Sequence, residues 1–75
     1  MPKYQGHRNW NHWNVSLWLC NDYELYCLVQ MWMGTPTLTR NDCAHRILSE
    51  VPSHTPDGAP YTFTSIRAAL VGWER

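Results

Sequence analysis

Between Trp10 and Cys20 the chain reads WNHWNVSLWLC, and no rotation of that segment as a helix gives one clean apolar face. Trp10, Trp13, Leu17 and Cys20 recur at spacings of three, four and three and predict an inner stripe, while Val15, Trp18 and Leu19 fill another side. A helix apolar over so much of its circumference has to be covered from more than one direction. Only 75 residues exist to supply that cover, and so short a chain buries a low fraction of the surface it exposes when unfolded. A second copy is the natural complement, so the block predicts a homo-oligomer.

The rest of the chain divides at its helix breakers. Residues 1–8, MPKYQGHR, contain Pro2 and Gly6 without a periodic pattern and predict an extended arm. A first helix is expected from about Asn11 to Cys20, capped by Asn9 or Asn11. Asn21 and Glu24 stand in the N-cap and N3 relationship, predicting a second helix from Asp22 to about Met33, either continuous with the first or restarted. Leu25, Leu28, Val29 and Trp32 form its inner stripe, and Gly34 with Pro36 ends it. A third helix is expected over roughly Leu38 to Glu50, with Ala44, Ile47, Leu48 and Val51 inward, Arg40, Asp42, Arg46 and Glu50 outward, and Pro52 as stop. Residues 52–63 read as a Pro/Gly-rich loop, with Pro56-Asp57-Gly58 as a turn. Thr64 or Ser65 then caps a last helix to about Trp73, with Ile66, Ala69, Leu70 and Trp73 inward. The expectation is one all-α domain over residues 1–75, a bundle of about four helices with one structured loop.

A thin core needs a supplement. Three Cys is an odd number, and no basic-apolar-small leader opens the sequence, so disulfides are not expected and the chain reads as intracellular, in the host cytoplasm. By the same reasoning Asn14-Val15-Ser16 carries no glycosylation meaning. Four His and three Cys offer metal ligands, yet there is no Cys-x-x-Cys or His-x-x-x-His, and Cys43 and His45 diverge on a helix. No metal and no cofactor are expected. What remains is aromatic surface: five Trp and four Tyr against one Phe favour rings that bury large areas and keep a polar edge, as interfaces and ligand walls require. A formal charge of zero argues against nucleic acid. Asn21, Asp22 and Glu24 interrupt the richest apolar region, so no membrane span is expected.

The segments YQGHRNWNHWNVSLWLCNDYELY (4–26) and TPDGAPYTFTSIRAAL (55–70) resemble a group of short uncharacterised proteins found chiefly in bacteriophage genomes and related bacterial sequences. Those proteins carry a Trp-Asn-x-Trp-Asn-Val-x-Leu-Trp block, then Asn-Asp-x-x-Leu-Tyr, and some end in a Thr-Pro-Asp-Gly turn. The resemblance implies a phage setting, in which small proteins antagonise host enzymes or capture nucleotide defence signals.

Within that setting Asn9, Asn11 and Asn14 are poor helix formers interleaved with Trp10 and Trp13. Carboxamides beside indoles suit a flat polar ligand, a purine above all. Arg8, Arg40, Arg46 and Arg67 could grip its phosphates in bidentate fashion, and Asp57 could hold a ribose hydroxyl. His7 and His12 could assist, with Tyr4 and the Pro56-Asp57-Gly58 turn as candidate lids. Catalysis is not expected: the six acids pair nowhere on one face as acid and base apart from the cap positions Asp22 and Glu24, and no Gly-rich phosphate loop or Gly-x-Ser-x-Gly is present. The first expectation is therefore an anti-defence sponge that sequesters a nucleotide-like host immune signal without turnover. The alternatives are an inhibitor that docks aromatic side chains on a host defence enzyme, and a structural phage component.

Overall fold

The computed structural model describes residues 9–71 and Trp73. Four helices follow in chain order: α1, Trp10–Asn21; α2, Tyr23–Met33; α3, Arg40–Glu50; and α4, Phe63–Val71. The protein is all-α. Each helix packs on two others: α1 and α3 both lie against α2 and α4, and among the described residues α1 and α3 do not touch. The bundle is thus a four-sided ring, with α1 diagonal to α3.

Local chemistry explains each boundary. Asn9 sits in an extended conformation, and its side chain accepts from the His12 N–H at 3.0 Å, which starts α1 where sequence expected it. The α1–α2 junction corrects the Asn21/Glu24 expectation. Asn21 is still helical, and the extended residue is Asp22, at φ −85 and ψ 118. Its N–H donates to Trp18 O at 3.0 Å, closing α1, while its carboxylate accepts from Leu25 N at 3.2 Å, opening α2. One residue ends one helix and begins the next, so the two are separate.

Thr39 and Asp42 form a reciprocal capping box at α3, each accepting from the other's backbone N–H at 3.1 Å. Helix α3 accordingly starts at Arg40, two residues after the Leu38 expected. At α4 the cap is Thr62, upstream of the Thr64 or Ser65 expected: Thr62 Oγ1 accepts from Ser65 N at 3.1 Å, and Ser65 Oγ accepts from Thr62 N at 3.0 Å. Ser65 is buried inside the first turn as the partner of the cap.

The core centres on Val15, Leu19, Val29, Met33, Ile47, Ile66 and Leu70, each at most 1 % exposed, with Cys43, Ala44 and Ala59 filling between them. This corrects the predicted α1 face. The fully buried residues of α1 are Asn14, Val15 and Leu19, whereas Cys20 and Trp10 are exposed and Trp13 and Leu17 are half-buried. An indole is too large for a core this narrow, so the aliphatic residues take the centre and the rings take the rim. Of the five Trp none is fully buried. Arg40 also departs from expectation: it is half-buried, and its Nε is enclosed without a hydrogen-bond partner among the described residues.

Between α3 and α4 the chain makes a small hairpin. Thr55 N donates to Ala59 O at 2.8 Å and Tyr61 N to Ser53 O at 3.0 Å, with a single antiparallel bridge between His54 and Pro60. The Gly58 N–H closes the tip onto Thr55 O at 2.9 Å. Gly58 takes φ +95, where a Cβ would be strained although it would meet nothing within 4 Å.

Candidate functional site

The hairpin tip is held against α1 by a polar cluster built from the two segments that stood out in the sequence. Asn14, 1 % exposed, donates through Nδ2 to Asp57 Oδ2 at 2.8 Å, and its Oδ1 accepts from the Thr55 hydroxyl. Thr55 Oγ1 in turn accepts from Ala59 N at 3.1 Å. Trp18 Nε1 donates to the same Asp57 oxygen at 2.9 Å. Asn14 and Trp18 lie four apart, on one side of α1, so their amide and indole N–H groups converge on one acceptor. Those two donors hold the Asp57 carboxyl below its ordinary value, Asn14 more than Trp18. A carboxamide has both donor and acceptor ends, and here both ends are used within the chain.

The expected ligand residues therefore separate. Asn14 and Asp57 are together, as each other's partners. Trp10, Asn11 and Trp13 sit in the first turn of α1, with Trp10 exposed and the other two half-buried. That turn holds no acidic residue. Arg40 and Arg46 lie on α3, the helix diagonal to α1. Arg46 places its guanidinium 4.9 Å from the centre of the Trp32 ring, whose Nε1 donates to Glu50 Oε2 at 2.8 Å, a bracket joining α2 to α3. Arg67, on α4, donates through Nε to Asn41 Oδ1. Arg46 and Arg67 thus serve different helix seams, α2 with α3 and α3 with α4. Tyr4, His7 and Arg8 fall outside the described residues.

Sequence reasoning missed Thr55 and Trp18 as partners of Asn14 and Asp57. The signal was present, because a buried-type amide in one block and an exposed-type carboxylate in a turn are complementary. It also missed the outer side of α2, where Tyr23 is 79 % and Met31 54 % exposed, with exposed Cys27 between them. Tyr23 is pushed up from its ordinary value by its side-chain hydrogen bond and then its electrostatic interaction with the neighbouring Cys27. Tyr26 completes the edge, its ring centre 5.5 Å from that of Trp73. On the third side of the bundle His45 stacks on Phe63 at 4.4 Å.

Among the described residues no group of three or more His, Cys, Asp or Glu side chains is arranged to hold a metal ion. No helix among them is long and apolar enough to cross a membrane. No curated protein and no solved structure matches the chain. A family model does, over residues 1–71, and the chain belongs to that family, described as a family of unknown function (DUF7249).

Proposed function

We propose that this chain is a noncatalytic binding protein that presses an indole-bearing edge against a protein of the host cell, in the phage setting its sequence resemblance implies. One observation carries the reading: the largest side chains lie on the rim of the bundle, and the α1 edge of Trp10, Trp13 and Leu17 is open or half-open along its length. Trp, Tyr and Arg anchors at the centre of a desolvated patch supply most of the binding energy in protein interfaces.

The sponge reading is less well supported by the geometry. Asn14 and Asp57, one of its carboxamides and its ribose-binding carboxylate, are bonded to each other, and Arg46 and Arg67 face different seams. What still favours it is the acid-free first turn of α1 beside Trp10 and Trp13, since a helix N-terminus attracts anions.

Two arms of one experiment separate these readings. Tagged protein is used to capture partners from host lysate, alongside a Trp10→Ala/Trp13→Ala variant, and the pure protein is titrated with cyclic and ADP-ribose-derived nucleotides. The proposal expects one host protein retained in stoichiometric amount, lost with the double variant, and no heat from the nucleotides. Nucleotide heat with no retained protein would overturn it in favour of the sponge. Co-purification with virions alone would point to a structural component.

A further inference from the structure

We propose that the Asp57-Gly58 bond is a modification site of this chain: it isomerises to isoaspartate when the hairpin lifts off α1, and Asn14 and Trp18 guard it while the hairpin is closed. This goes beyond the host-protein reading and does not depend on it.

The sequence places the site. Of the three Asp only Asp57 precedes a Gly, Asp22 and Asp42 being followed by Tyr23 and Cys43, and no Asn precedes a Gly. In an Asp-Gly pair the Gly nitrogen attacks the side-chain carbonyl carbon of the Asp with no Cβ to crowd its approach. The bond from Gly58 N to Asp57 Cγ forms and a Cγ–O bond breaks. The carboxyl hydroxyl leaves with the amide proton as water, and a five-membered succinimide remains. Water then reopens the ring. Addition at Cγ restores Asp57, whereas addition at the main-chain carbonyl leaves Gly58 bonded to Cγ, which is isoaspartate. One water leaves and one enters, so water is the only co-reactant and the mass is unchanged.

The attack has three requirements. The Asp57 side chain must swing until Cγ meets Gly58 N, its carboxyl must be protonated so that water can leave, and Gly58 must give up its N–H. The closed hairpin opposes each. Asp57 Oδ2 accepts from Asn14 Nδ2 at 2.8 Å and from Trp18 Nε1 at 2.9 Å, which pins the side chain to α1. The same two donors favour the ionised carboxyl. The Gly58 N–H is committed to Thr55 O at 2.9 Å. Asp57 and Gly58 are both exposed, so water reaches the tip. Hydrogen bonds, rather than burial, hold the reaction back.

Those bonds fall together. Asn14 Oδ1 accepts from the Thr55 hydroxyl, and Thr55 in turn holds Gly58 through its carbonyl and Ala59 through Oγ1. Lifting the hairpin breaks both bonds to Asp57 and takes Asn14 away from the residue that holds Gly58. Openings of this kind at a surface loop need far less free energy than global unfolding.

Isomerisation makes the opening permanent. The main chain gains one carbon at the tip, and the carboxylate, now borne directly on Cα, reaches one carbon less far. The four-residue turn from Thr55 to Gly58 is then too long for Gly58 N–H to meet Thr55 O while the shortened carboxylate meets Asn14 and Trp18. A hairpin that has lifted and reacted stays lifted, and the isomer is a covalent record of the event.

The experiment follows the full chain at neutral pH and constant temperature, native and unfolded in guanidinium chloride, beside native Asn14→Ala and Trp18→Phe. Isoaspartate is counted with an isoaspartyl methyltransferase and a labelled methyl donor, and is mapped to residue 57 by electron-transfer fragmentation. Native wild type should react roughly ten times slower than the unfolded chain, or slower still, since the population of lifted hairpin sets the ratio. Asn14→Ala should approach the unfolded rate. Trp18→Phe keeps a ring and drops the indole N–H, so it should retain the helical circular dichroism while reacting several-fold faster than wild type. The isomerised chain, returned to buffer, should melt below the unreacted one. No isoaspartate at 57 in the unfolded chain, a native rate equal to the unfolded rate, a folded Trp18→Phe no faster than wild type, or an isomer that melts with the unreacted chain would each overturn the proposal.

Discussion

The hairpin-facing side of α1 and the outer side of α2 lie one short helix apart in the chain, yet they treat unusual residues in opposite ways. On that side of α1 two of the conspicuous residues are used within the chain: Asn14 and Trp18 end on Asp57, and Thr55 ends on Asn14. On α2 a segment with nothing odd in its composition leaves Tyr23 and Met31 in water. Concentrated polar and aromatic residues in a small domain can thus be the fastening of a loop, while an ordinary helix holds the open surface. In a domain with a core this narrow, a buried hydrogen-bonded amide both fixes the hairpin and fills space.

The largest effect should come from cutting that fastening at its centre. Asn14→Ala removes the donor to Asp57 and the acceptor of Thr55 together, leaving the buried Thr55 hydroxyl proton without an acceptor. Loss of about 2–3 kcal/mol is expected, which for a domain of this size lowers the melting temperature by about 10–20 °C. Thermal unfolding by circular dichroism measures it. A melting temperature within a few degrees of wild type would mean that the hairpin is held by something other than Asn14.

How much of this was legible follows the same division. Helix number, order and most boundaries could be read, because Gly34, Pro36 and Pro52 interrupt an otherwise regular apolar period and Asn9 announces a cap. Two caps were misplaced by one to three residues. In each the sequence offers neighbouring polar residues, Asn21 beside Asp22 or Thr62 near Thr64, and only backbone conformation chooses between them. The face of α1 was misread for a physical reason. Apolar periodicity counts Trp as the strongest core residue, whereas the apolar residues of α1 that reach the core are Val15 and Leu19, and Trp10 and Trp13 stay outside it. The clamp was half legible: Asn14 and Asp57 were both singled out, but as groups awaiting a ligand, since 43 positions separate them in sequence.

A smaller loss is expected at the tip of the hairpin. Gly58→Ala puts a Cβ at φ +95 with nothing within 4 Å to clash. The cost is conformational alone, about 1 kcal/mol, or about 4–8 °C in melting temperature. Gly58→Asn should lose less, because Asn tolerates the left-handed region. Equal losses for both would show that the side chain meets an obstacle and that strain is not the cause.

Acid should loosen the same fastening. Asp57 is held below its ordinary value of 3.8 by Asn14 and then Trp18. Its contribution is therefore complete above that ordinary value and is lost as pH falls through the lower folded value. Asp42, lowered chiefly by its backbone and side-chain bonds with Thr39, acts in the same direction, so wild-type stability should fall on the acid side through both. Asp57→Asn should be less stable than wild type near neutrality and lose less on acidification. Urea unfolding from neutrality down through the carboxylate range checks it, and parallel acid limbs for the two proteins would remove Asp57 from the account.

The smallest effect belongs to the other surface. Met31 is 54 % exposed on the outside of α2, and replacing it with Ser removes a side chain that touches little within its own chain. Stability of the dilute monomer should change by no more than about 0.5 kcal/mol. Dilution matters, because any self-association adds stability that grows with the logarithm of concentration and would otherwise be read as folding. The urea midpoint and slope, taken at low and at high protein concentration, separate the two terms. At low concentration Met31→Ser should overlay wild type while Asn14→Ala does not. A Met31→Ser midpoint that drops as far as that of Asn14→Ala in dilute protein would mean that Met31 is covered within one chain, and the contrast between a closed α1 and an open α2 would fail.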